Sequence, residues 1–456
     1  MSTYLHIFFI VTLLFILLQY ALKKQPSELK ANEYVVSKRD LGIFSLTATL
    51  VMTEFNTATL IAFSSLGYVS GLKALTLPLV FLIGLLFYAL VAAKKWKEFN
   101  GTSTVDYFIK QYGKTIGMIS AIFLFTAMSG FSATYLKSLT ILFKNFINLE
   151  SEWFISAYLA IATLFMVIKK GLASIVKVDI IAFLIVIIAL PFILYFATML
   201  PTNFDNIKEI KIRPELLDNS FLLSLFPLTM FSYILAPWYG QRIFAAKNKT
   251  TAKIAVIFSA IFVFCLYSIG ILISYTLAIK GISFADPQES FPYALNQVMS
   301  GKFSYIGYSL LFLISSTTLT GLWNAMATMS LEFKQTKSVN SYVIMMFICA
   351  VITYILTNVL VDNILSKMIL ANIPVVSLSF ALLSGFYISQ KSRTGVYVSI
   401  IIGLLSGIGS YLYFGDAGNY TYYWAMIGIP VMFIVGIVGV IHFPDKKTLN
   451  NLSSQI

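Results

Sequence analysis

The amino-acid sequence predicts an all-α, polytopic membrane protein with about 13 transmembrane helices. Hydrophobic residues make up 58% of the 456 residues, charged residues only 11%, and the mean hydropathy is +0.84. Soluble domains carry roughly 25% charged residues. Apolar runs of about 20 residues, the length that crosses a bilayer, recur along the chain. We therefore expect a single transmembrane domain over residues 1–456, with no stretch long and polar enough for a separate soluble domain.

The candidate spans follow one another from end to end. They lie at about 4–22, 42–69, 74–93, 115–136, 153–168, 174–200, 219–241, 252–279, 305–331, 339–361, 366–388, 394–414 and 421–442. The first apolar run has no basic segment before it and no small-residue cleavage site after it. We therefore interpret it as a membrane span and not as a signal peptide.

The basic residues divide unequally between the two sides of the membrane. Of the 32 Lys and Arg residues, 23 fall on one side, chiefly in segments 23–41, 94–114 and 242–253. We expect the protein to lie in the cytoplasmic membrane. Because cytoplasmic segments are enriched in Lys and Arg, we expect its N-terminus outside the cell and its C-terminus in the cytoplasm. The net charge of +13 is then an orientation signal, and no nucleic-acid partner is expected.

Glu54 is the most informative single residue, because it lies in an otherwise uncharged run from Leu41 to Lys73. An ionisable group at bilayer depth is costly and usually faces a cavity, a cation or a proton path. Polar or small residues follow it at Asn56, Thr57, Thr59, Ser64, Ser65 and Gly67. Interrupted, polar helices of this kind line binding sites in transporters.

Patterns for catalysis or for a metal centre are missing from the sequence. The two cysteines lie in apolar spans and the two histidines in the outermost spans, so neither a disulfide framework nor a metal-ligand spacing is present. We expect the protein not to be an enzyme and to need no cofactor. Filter loops with repeated Gly or acidic rings, which are typical of channels, are also missing.

Five short stretches then occur in a recognisable order. They are Tyr34–Gly42, Ser103–Phe108, Gly171–Asp179, Gly240–Lys247 and Ser315–Thr320, the last followed by Asn324 and Glu332. Together with the span count and the N-outside topology, they resemble the sodium:solute symporter family, which includes carriers of proline, pantothenate, sialic acid and glucose. The resemblance covers nearly the whole chain.

The resemblance implies a five-plus-five inverted-repeat core, with one repeat at 42–200 and the other at 219–388. The helix at 4–22 and the helices at 394–442 would be peripheral. Substrate and cation would lie midway across the membrane, where spans 2 and 7 are broken, and Pro374 is expected to open span 11. The implied function is Na⁺-coupled symport of a small organic solute, in contact with membrane lipid and without an obligate protein partner.

The resemblance also implies a cation site made of carbonyls from the second span and hydroxyls from the ninth. The matched residues are Met52, Phe55, Ile314, Thr317 and Thr318. Sodium is a hard cation that binds oxygen atoms, and an unwound turn frees carbonyls for it. The alternative is that the hydroxyls of Ser315–Thr320 bond back to the previous helical turn.

Glu54 falls where members of the family have Asp or Asn. Its longer side chain can bind the cation, contact the substrate or take up a proton. The alternative is an ion pair with Lys73 or Lys137.

Asp179 matches a carboxylate that the resemblance implies helps the cation leave to the cytoplasm, so we count it with the cation-binding residues. The alternative is a surface pair with Lys177. Arg242 is expected to hold the cytoplasmic end of the seventh span.

The candidate substrate-binding residues are Asn56, Thr57, Thr59, Thr229, Tyr233 and Trp238. Sugar-carrying relatives have a carboxylate in the third span, whereas Leu75–Phe81 here contains no acid or amide. We therefore disfavour sugars and favour a small amino acid or carboxylate. A half-helix N-terminus or the sodium ion itself would have to bind a carboxylate group.

Two other functions stay open at this point. One is H⁺-coupled symport through Glu54, and the other is a non-enzymatic solute sensor of the same fold. The sensor is disfavoured because the sequence ends shortly after the last span. The identity of the solute, the choice between Na⁺ and H⁺, and the stoichiometry are open as well.

Overall fold

The computed structural model describes residues 31–445 except 38, 100, 148–150, 168–171, 205–209, 211, 299–303, 336 and 416–418. The predicted first span at 4–22 lies outside the described residues. The part that is described is helical, apart from loops and one isolated bridge between Leu41 and Ala246. The all-α prediction is confirmed.

The first half of the chain forms α1 (Ala31–Val36), α2 (Ile43–Glu54), α3 (Thr57–Ser70), α4 (Thr76–Val91), α5 (Ala93–Phe99), α6 (Thr104–Tyr112), α7 (Lys114–Ile147), α8 (Glu152–Val167) and α9 (Leu172–Met199). The second half forms α10 (Asn219–Tyr233), α11 (Pro237–Ala245), α12 (Lys249–Ile279), α13 (Ser290–Val298), α14 (Ser304–Ser330), α15 (Val339–Val359), α16 (Ile364–Val376) and α17 (Ser379–Tyr387). The last helices are α18 (Arg393–Phe414), α19 (Asn419–Tyr423) and α20 (Ile429–His442), with a π-helical turn between the last two.

Short polar side chains begin many of these helices. Each accepts a hydrogen bond from a backbone amide of the first turn, which has no partner within the helix. These N-cap residues are Asn56, Ser103, Asp218, Asn248, Ser338, Asn363 and Ser392. The caps explain why the helices begin at the polar positions that separate the apolar runs.

The chain reverses between α3 and α4. Phe63 and Phe81 would lie about 27 Å apart on one straight helix, which rises 1.5 Å per residue. Their ring centroids are instead 5.2 Å apart. The reversal occurs at Gly71, whose φ of 65° is readily adopted only by glycine, and a 3₁₀ turn at Gly71–Leu75 follows it. The stretch from Thr57 to Val91 therefore contains two antiparallel helices, as the separate spans at 42–69 and 74–93 predicted.

By length and apolar composition alone, eight helical stretches in the described residues are suited to cross a membrane, or ten if each bent pair counts as one span. A helix lies at every predicted span after the first if α3 and α4 are counted separately and the shorter apolar helices α2 and α8 are included. The total of about 13 crossings stays a prediction.

Three of the membrane-length segments are interrupted near their middle. The first is broken at Phe55 and Asn56, between α2 and α3. The second bends by 46° between α10 and α11, where Pro237 occupies the first turn of the new helix. The third bends by 41° between α16 and α17, just after Pro374. The expected breaks in spans 2, 7 and 11 are therefore confirmed.

Small residues bring α3 and α12 into close contact. A Cβ atom at Gly67 would lie 2.7 Å from the carbonyl oxygen of Ile271, and one at Gly270 would lie 2.4 Å from the side chain of Leu60. Glycine at both positions lets the two backbones approach, as is common between helices in membranes. The contact holds α12 against the interrupted α2–α3 pair.

Candidate functional site

A tyrosine from α12 stabilises the interruption between α2 and α3. The Tyr267 hydroxyl donates to the Glu54 carbonyl at 2.6 Å and accepts from the backbone amide of Asn56 at 3.2 Å. The Asn56 side chain donates to the same Glu54 carbonyl at 2.8 Å. These bonds satisfy backbone groups that the broken helix leaves unpaired, which is costly at bilayer depth.

The interruption also releases two carbonyl groups of span 2 from helical bonding. In a continuous helix, the Met52 carbonyl would accept from the amide of Asn56. The Phe55 carbonyl would likewise accept from the amide of Thr59. Instead, the Asn56 amide bonds to Tyr267, and the Thr59 amide bonds to the Asn56 side chain at 2.9 Å. Met52 and Phe55, the two predicted carbonyl ligands, therefore lack their helical partners.

The predicted hydroxyl ligands on α14 lie against this released backbone. The Thr318 hydroxyl donates to the Met52 carbonyl at 3.0 Å and lies 3.1 Å from the Ile314 carbonyl. The Thr317 hydroxyl donates to Ile314 at 3.0 Å. Bonding back to the previous turn is therefore observed for both hydroxyls. The same geometry gathers oxygen atoms of Met52, Ile314, Thr317 and Thr318 between α2 and α14.

A cavity of about 100 Å³ lies among the three interruptions. Aromatic residues in its lining are Phe63, Phe81, Phe131, Tyr135, Tyr233 and Trp238. Polar residues in its lining are Glu54, Thr59, Thr229, Ser232 and Asn372, and the rest are Leu77, Val80, Leu225, Leu228, Leu365, Met368 and Ile369. The cavity thus brings together four of the six predicted substrate residues and Glu54.

Glu54 is buried, with 8% of the residue exposed, and it lines this cavity and not the cluster around Thr318. One of its oxygen atoms accepts a hydrogen bond from the Tyr233 hydroxyl at 2.6 Å. The alternative that Glu54 pairs with a lysine is wrong, since no ion pair to Glu54 forms among the described residues. Lys137 instead pairs with Glu152 at 2.6 Å.

Asn56 and Thr57 do not line the cavity. The Thr57 hydroxyl lies 2.8 Å from that of Ser138 on α7 and also contacts the Ser315 hydroxyl on α14. Asn56 caps α3 and bonds to the interruption. Both residues therefore hold the broken helix in place and do not reach the space where a solute would lie.

Asp179 is fully buried between α9, α2 and α11. It accepts a hydrogen bond from the Thr49 hydroxyl, and its Oδ2 lies 3.6 Å from Nη2 of Arg242. Arg242 also donates from Nε to Thr49 at 2.9 Å and from Nη1 to the Trp238 carbonyl at 3.1 Å. The alternative of a surface pair with Lys177 is wrong, because neither the Asp179 nor the Arg242 side chain is exposed. The buried pair forms because the chain brings α9 and α11 against α2.

Sequence reasoning missed the polar pair that joins the second and third interruptions. The Ser232 hydroxyl, one residue before the end of α10, donates to the Asn372 side chain at 2.5 Å. Asn372 on α16 bonds in turn to the Met368 carbonyl at 3.0 Å. An amide two residues before Pro374, within the apolar stretch from Met368 to Val376, was a signal that pointed to this position.

The comparisons with solved structures agree on the fold. A Na⁺-coupled sialic acid symporter, in a substrate-bound outward-open state, gives a TM-score of 0.79 at 12% identity, with 98% of each chain covered. Mhp1, a nucleobase-cation-symport-1 family transporter in a closed conformation with bromovinylhydantoin bound, gives 0.59 at 12% identity, covering 92% of this chain and 97% of Mhp1. MhsT in complex with L-phenylalanine gives a TM-score of 0.52 at 14% identity, covering 87% of this chain and 98% of MhsT.

Among curated proteins, none matches the sequence. A family model does match it. The model of the sodium:solute symporter family covers residues 34–289, which include the first two interruptions, Glu54, Asp179 and Arg242. Because the match extends over more than half of the 456 residues, the chain belongs to the sodium:solute symporter family.

Proposed function

We propose that the protein is a secondary active transporter that carries a small organic solute across the cytoplasmic membrane together with Na⁺. Membership of the family supports coupling to Na⁺. The observation that carries the proposal is the 3.0 Å contact between the Thr318 hydroxyl and the Met52 carbonyl. It joins a carbonyl without its helical partner to a threonine pair, and such oxygen atoms suit a hard monovalent cation.

The solute site is the cavity that Glu54 lines, and the ion site is the oxygen cluster between α2 and α14. Both depend on the same interrupted turn, because Met52 and Glu54 are only two residues apart. An ion that draws the Met52 carbonyl toward Thr317 and Thr318 also fixes the backbone that presents Glu54 to the solute. Each ligand then favours binding of the other, and this coupling is reciprocal.

The cavity favours an amino acid over a free carboxylate. Among the described residues that line it there is no Lys, Arg or His, and Glu54 would repel an anion. The carboxylate end of an amino acid can still be bound by a helix N-terminus, where backbone amides carry partial positive charge. The N-termini of α3 at Thr57 and α11 at Pro237 begin at the interruptions.

Uptake into proteoliposomes tests this function. Purified protein would be supplied with labelled leucine and other apolar amino acids under an inward Na⁺ gradient, or under K⁺ at the same ionic strength. Accumulation above the external concentration only with the Na⁺ gradient is the expected result. Equal uptake with either cation, without accumulation, would identify an uncoupled facilitator. Protein-free liposomes give the background.

Proton coupling through Glu54 is the second candidate. The observation that favours it is a buried carboxylate without a cationic partner among the described residues, as carboxylates in proton relays are. An inward pH gradient without Na⁺ would then drive accumulation, and Glu54→Gln would abolish it. If a pH gradient drives no uptake in the wild-type protein, proton coupling is excluded.

A further inference from the structure

When ionised, the Glu54 carboxylate has no counter-charge among the described residues. Its single hydrogen bond among the described residues comes from Tyr233, a neutral group, at 2.6 Å. Arg242 pairs with Asp179 and Lys137 pairs with Glu152, so neither of these cations is paired with Glu54. A buried ionised carboxylate is strongly unfavourable without a counter-charge. A carboxylate in this setting either binds a proton or pairs with a cation that enters the cavity from outside the protein.

The walls around this carboxylate are aromatic. Six rings line the cavity, and five of them pack edge to face or stacked against another lining ring. The Phe63 and Phe81 centroids are 5.2 Å apart, those of Phe81 and Tyr233 5.9 Å, and those of Phe131 and Trp238 5.4 Å. Ring faces attract cations, and ammonium groups with apolar substituents suit such walls because their carbon atoms are buried at the same time.

A metal ion fits this cavity less well. Hard cations need a shell of several oxygen atoms. Besides Glu54, six lining side chains carry an oxygen atom: Thr59, Tyr135, Thr229, Ser232, Tyr233 and Asn372. Three of them already bond within the protein, since Ser232 donates to Asn372 at 2.5 Å and Tyr233 donates to Glu54 at 2.6 Å. The oxygen cluster of Met52, Ile314, Thr317 and Thr318 lies outside the cavity lining. The inorganic cation and a positively charged organic solute therefore have separate binding sites. The inorganic ion fits the oxygen cluster, and the organic cation fits the cavity beside Glu54.

We propose that the transported solute carries an ammonium group, which pairs with the Glu54 carboxylate while its apolar body lies against the aromatic walls of the cavity. The ammonium group belongs either to an amino acid or to a simple alkylamine. This inference rests on the proposed function only in taking the cavity as the solute site. The cavity limits the body to a small group, since a cavity of about 150 Å³ holds benzene.

Thermal unfolding of the purified full-length protein, at pH 7 and constant Na⁺ and ionic strength, tests the inference. The probes share a branched five-carbon body and are isopentylamine, isopentanol and 4-methylpentanoate, with L-leucine as the amino acid. Isopentylamine stays protonated at pH 7, as a lysine side chain does. A ligand that binds the folded state raises the melting temperature by an amount that grows with the logarithm of its concentration divided by its Kd.

Isopentylamine or leucine is expected to raise the melting temperature at concentrations at least about tenfold below those needed for isopentanol, with no effect of 4-methylpentanoate. Glu54→Gln is expected to lower the affinity for the ammonium-bearing ligand by at least about tenfold and to leave the affinity for isopentanol unchanged. The matched control is Glu98→Gln, since the Glu98 side chain is 38% exposed and pairs with Lys249 at the protein surface. The control is expected to bind as the wild-type protein does.

The four probes distinguish between the possible sources of the ammonium group. A response to leucine alone assigns the ammonium group to an amino acid, and a response to isopentylamine alone assigns it to an amine. If neither leucine nor isopentylamine binds better than isopentanol to the wild-type protein, the inference is overturned, even if Glu54→Gln does not fold. Stabilisation by Na⁺ over K⁺, measured without solute, reports the ion site separately. Its absence would contradict Na⁺ coupling but not the ammonium site.

Discussion

The Tyr233 hydroxyl donates a 2.6 Å hydrogen bond to the Glu54 carboxylate, and this bond joins the ends of two interrupted helices. Tyr233 is the last residue of α10 and Glu54 is the last residue of α2. In the predicted repeats, α2 and α10 lie in the opening span of each half. The bond therefore fixes the two interruptions relative to each other and orients the carboxylate toward the cavity.

Tyr233→Phe removes this bond and is expected to weaken solute binding by about tenfold, because a hydrogen bond to a charged group contributes about 1.5–3 kcal/mol. Solute-dependent thermal shifts measure the affinity. The control is Tyr397→Phe on α18, whose side chain is 44% exposed. If Tyr233→Phe binds solute as tightly as the control does, the bond does not position the carboxylate.

Removal of both threonine hydroxyls is expected to raise the Na⁺ requirement. In the Thr317→Ala, Thr318→Ala double variant, the Na⁺ concentration for half-maximal transport should rise by at least about tenfold, since each ligand lost is worth about 1.5 kcal/mol or more. Thr276→Ala is the control, because the Thr276 hydroxyl only bonds back to Leu272 at 2.7 Å. An unchanged Na⁺ dependence in the double variant would contradict the site assignment.

The buried Asp179–Arg242 pair is expected to show strong coupling in a double-mutant cycle. Arg242→Ala alone leaves a buried carboxylate uncompensated, at a cost of about 3–5 kcal/mol. The double change with Asp179→Ala should cost much less than the sum of the single changes. The exposed pair of Lys249 and Glu98, 2.9 Å apart, is the comparison, and its coupling should stay below about 1 kcal/mol. Additive effects at the buried pair, measured by thermal unfolding, would show that the two charges do not stabilise each other.

Gly67→Ala is expected to destabilise the protein by about 1–3 kcal/mol, because the new methyl group would press on the backbone of α12. Gly409→Ala is the matched change, as a Cβ atom there meets nothing within 4 Å. In a helix interior, alanine is favoured over glycine by up to about 1 kcal/mol, so this variant should be neutral or stabilised. Similar melting temperatures for both variants would argue against close α3–α12 packing.

The positions of the helices could be predicted from the sequence because hydrophobicity alone specifies a membrane span. The interruption near Pro374 was also predictable, since proline cannot donate the helical bond. By contrast, Asn56 and the polar residues after it mark the break between α2 and α3 only weakly, and the resemblance to the family indicated that span 2 is broken. That break depends on Tyr267, which comes from a helix far along the chain. The division into repeats at 42–200 and 219–388 and the N-outside orientation stay predictions.

The candidate site was predictable in its residue types but not in its grouping. Thr317 and Thr318 lie against Met52 as the motifs indicated, whereas Glu54 faces the cavity with Tyr233 and not the same cluster. Which side of a broken turn a side chain faces depends on backbone angles that composition does not specify. In the same way, the partner of Asp179 is fixed by the packing of α9 and α11, so the neighbour in sequence, Lys177, was a poor guide.

The interruption between α2 and α3 has a consequence for the barrier that the protein maintains. A rigid rod that tilts within a membrane displaces both of its ends, whereas a rod jointed at its middle can move one half and keep the other still. The jointed segments around the cavity therefore allow one entrance to widen while the opposite entrance remains sealed. A leak would dissipate the membrane voltage, which stores about 2.3 kcal/mol per elementary charge for each 100 mV. Breaks near the middle of these segments would let a coupled transporter draw on that stored energy without opening both entrances at once.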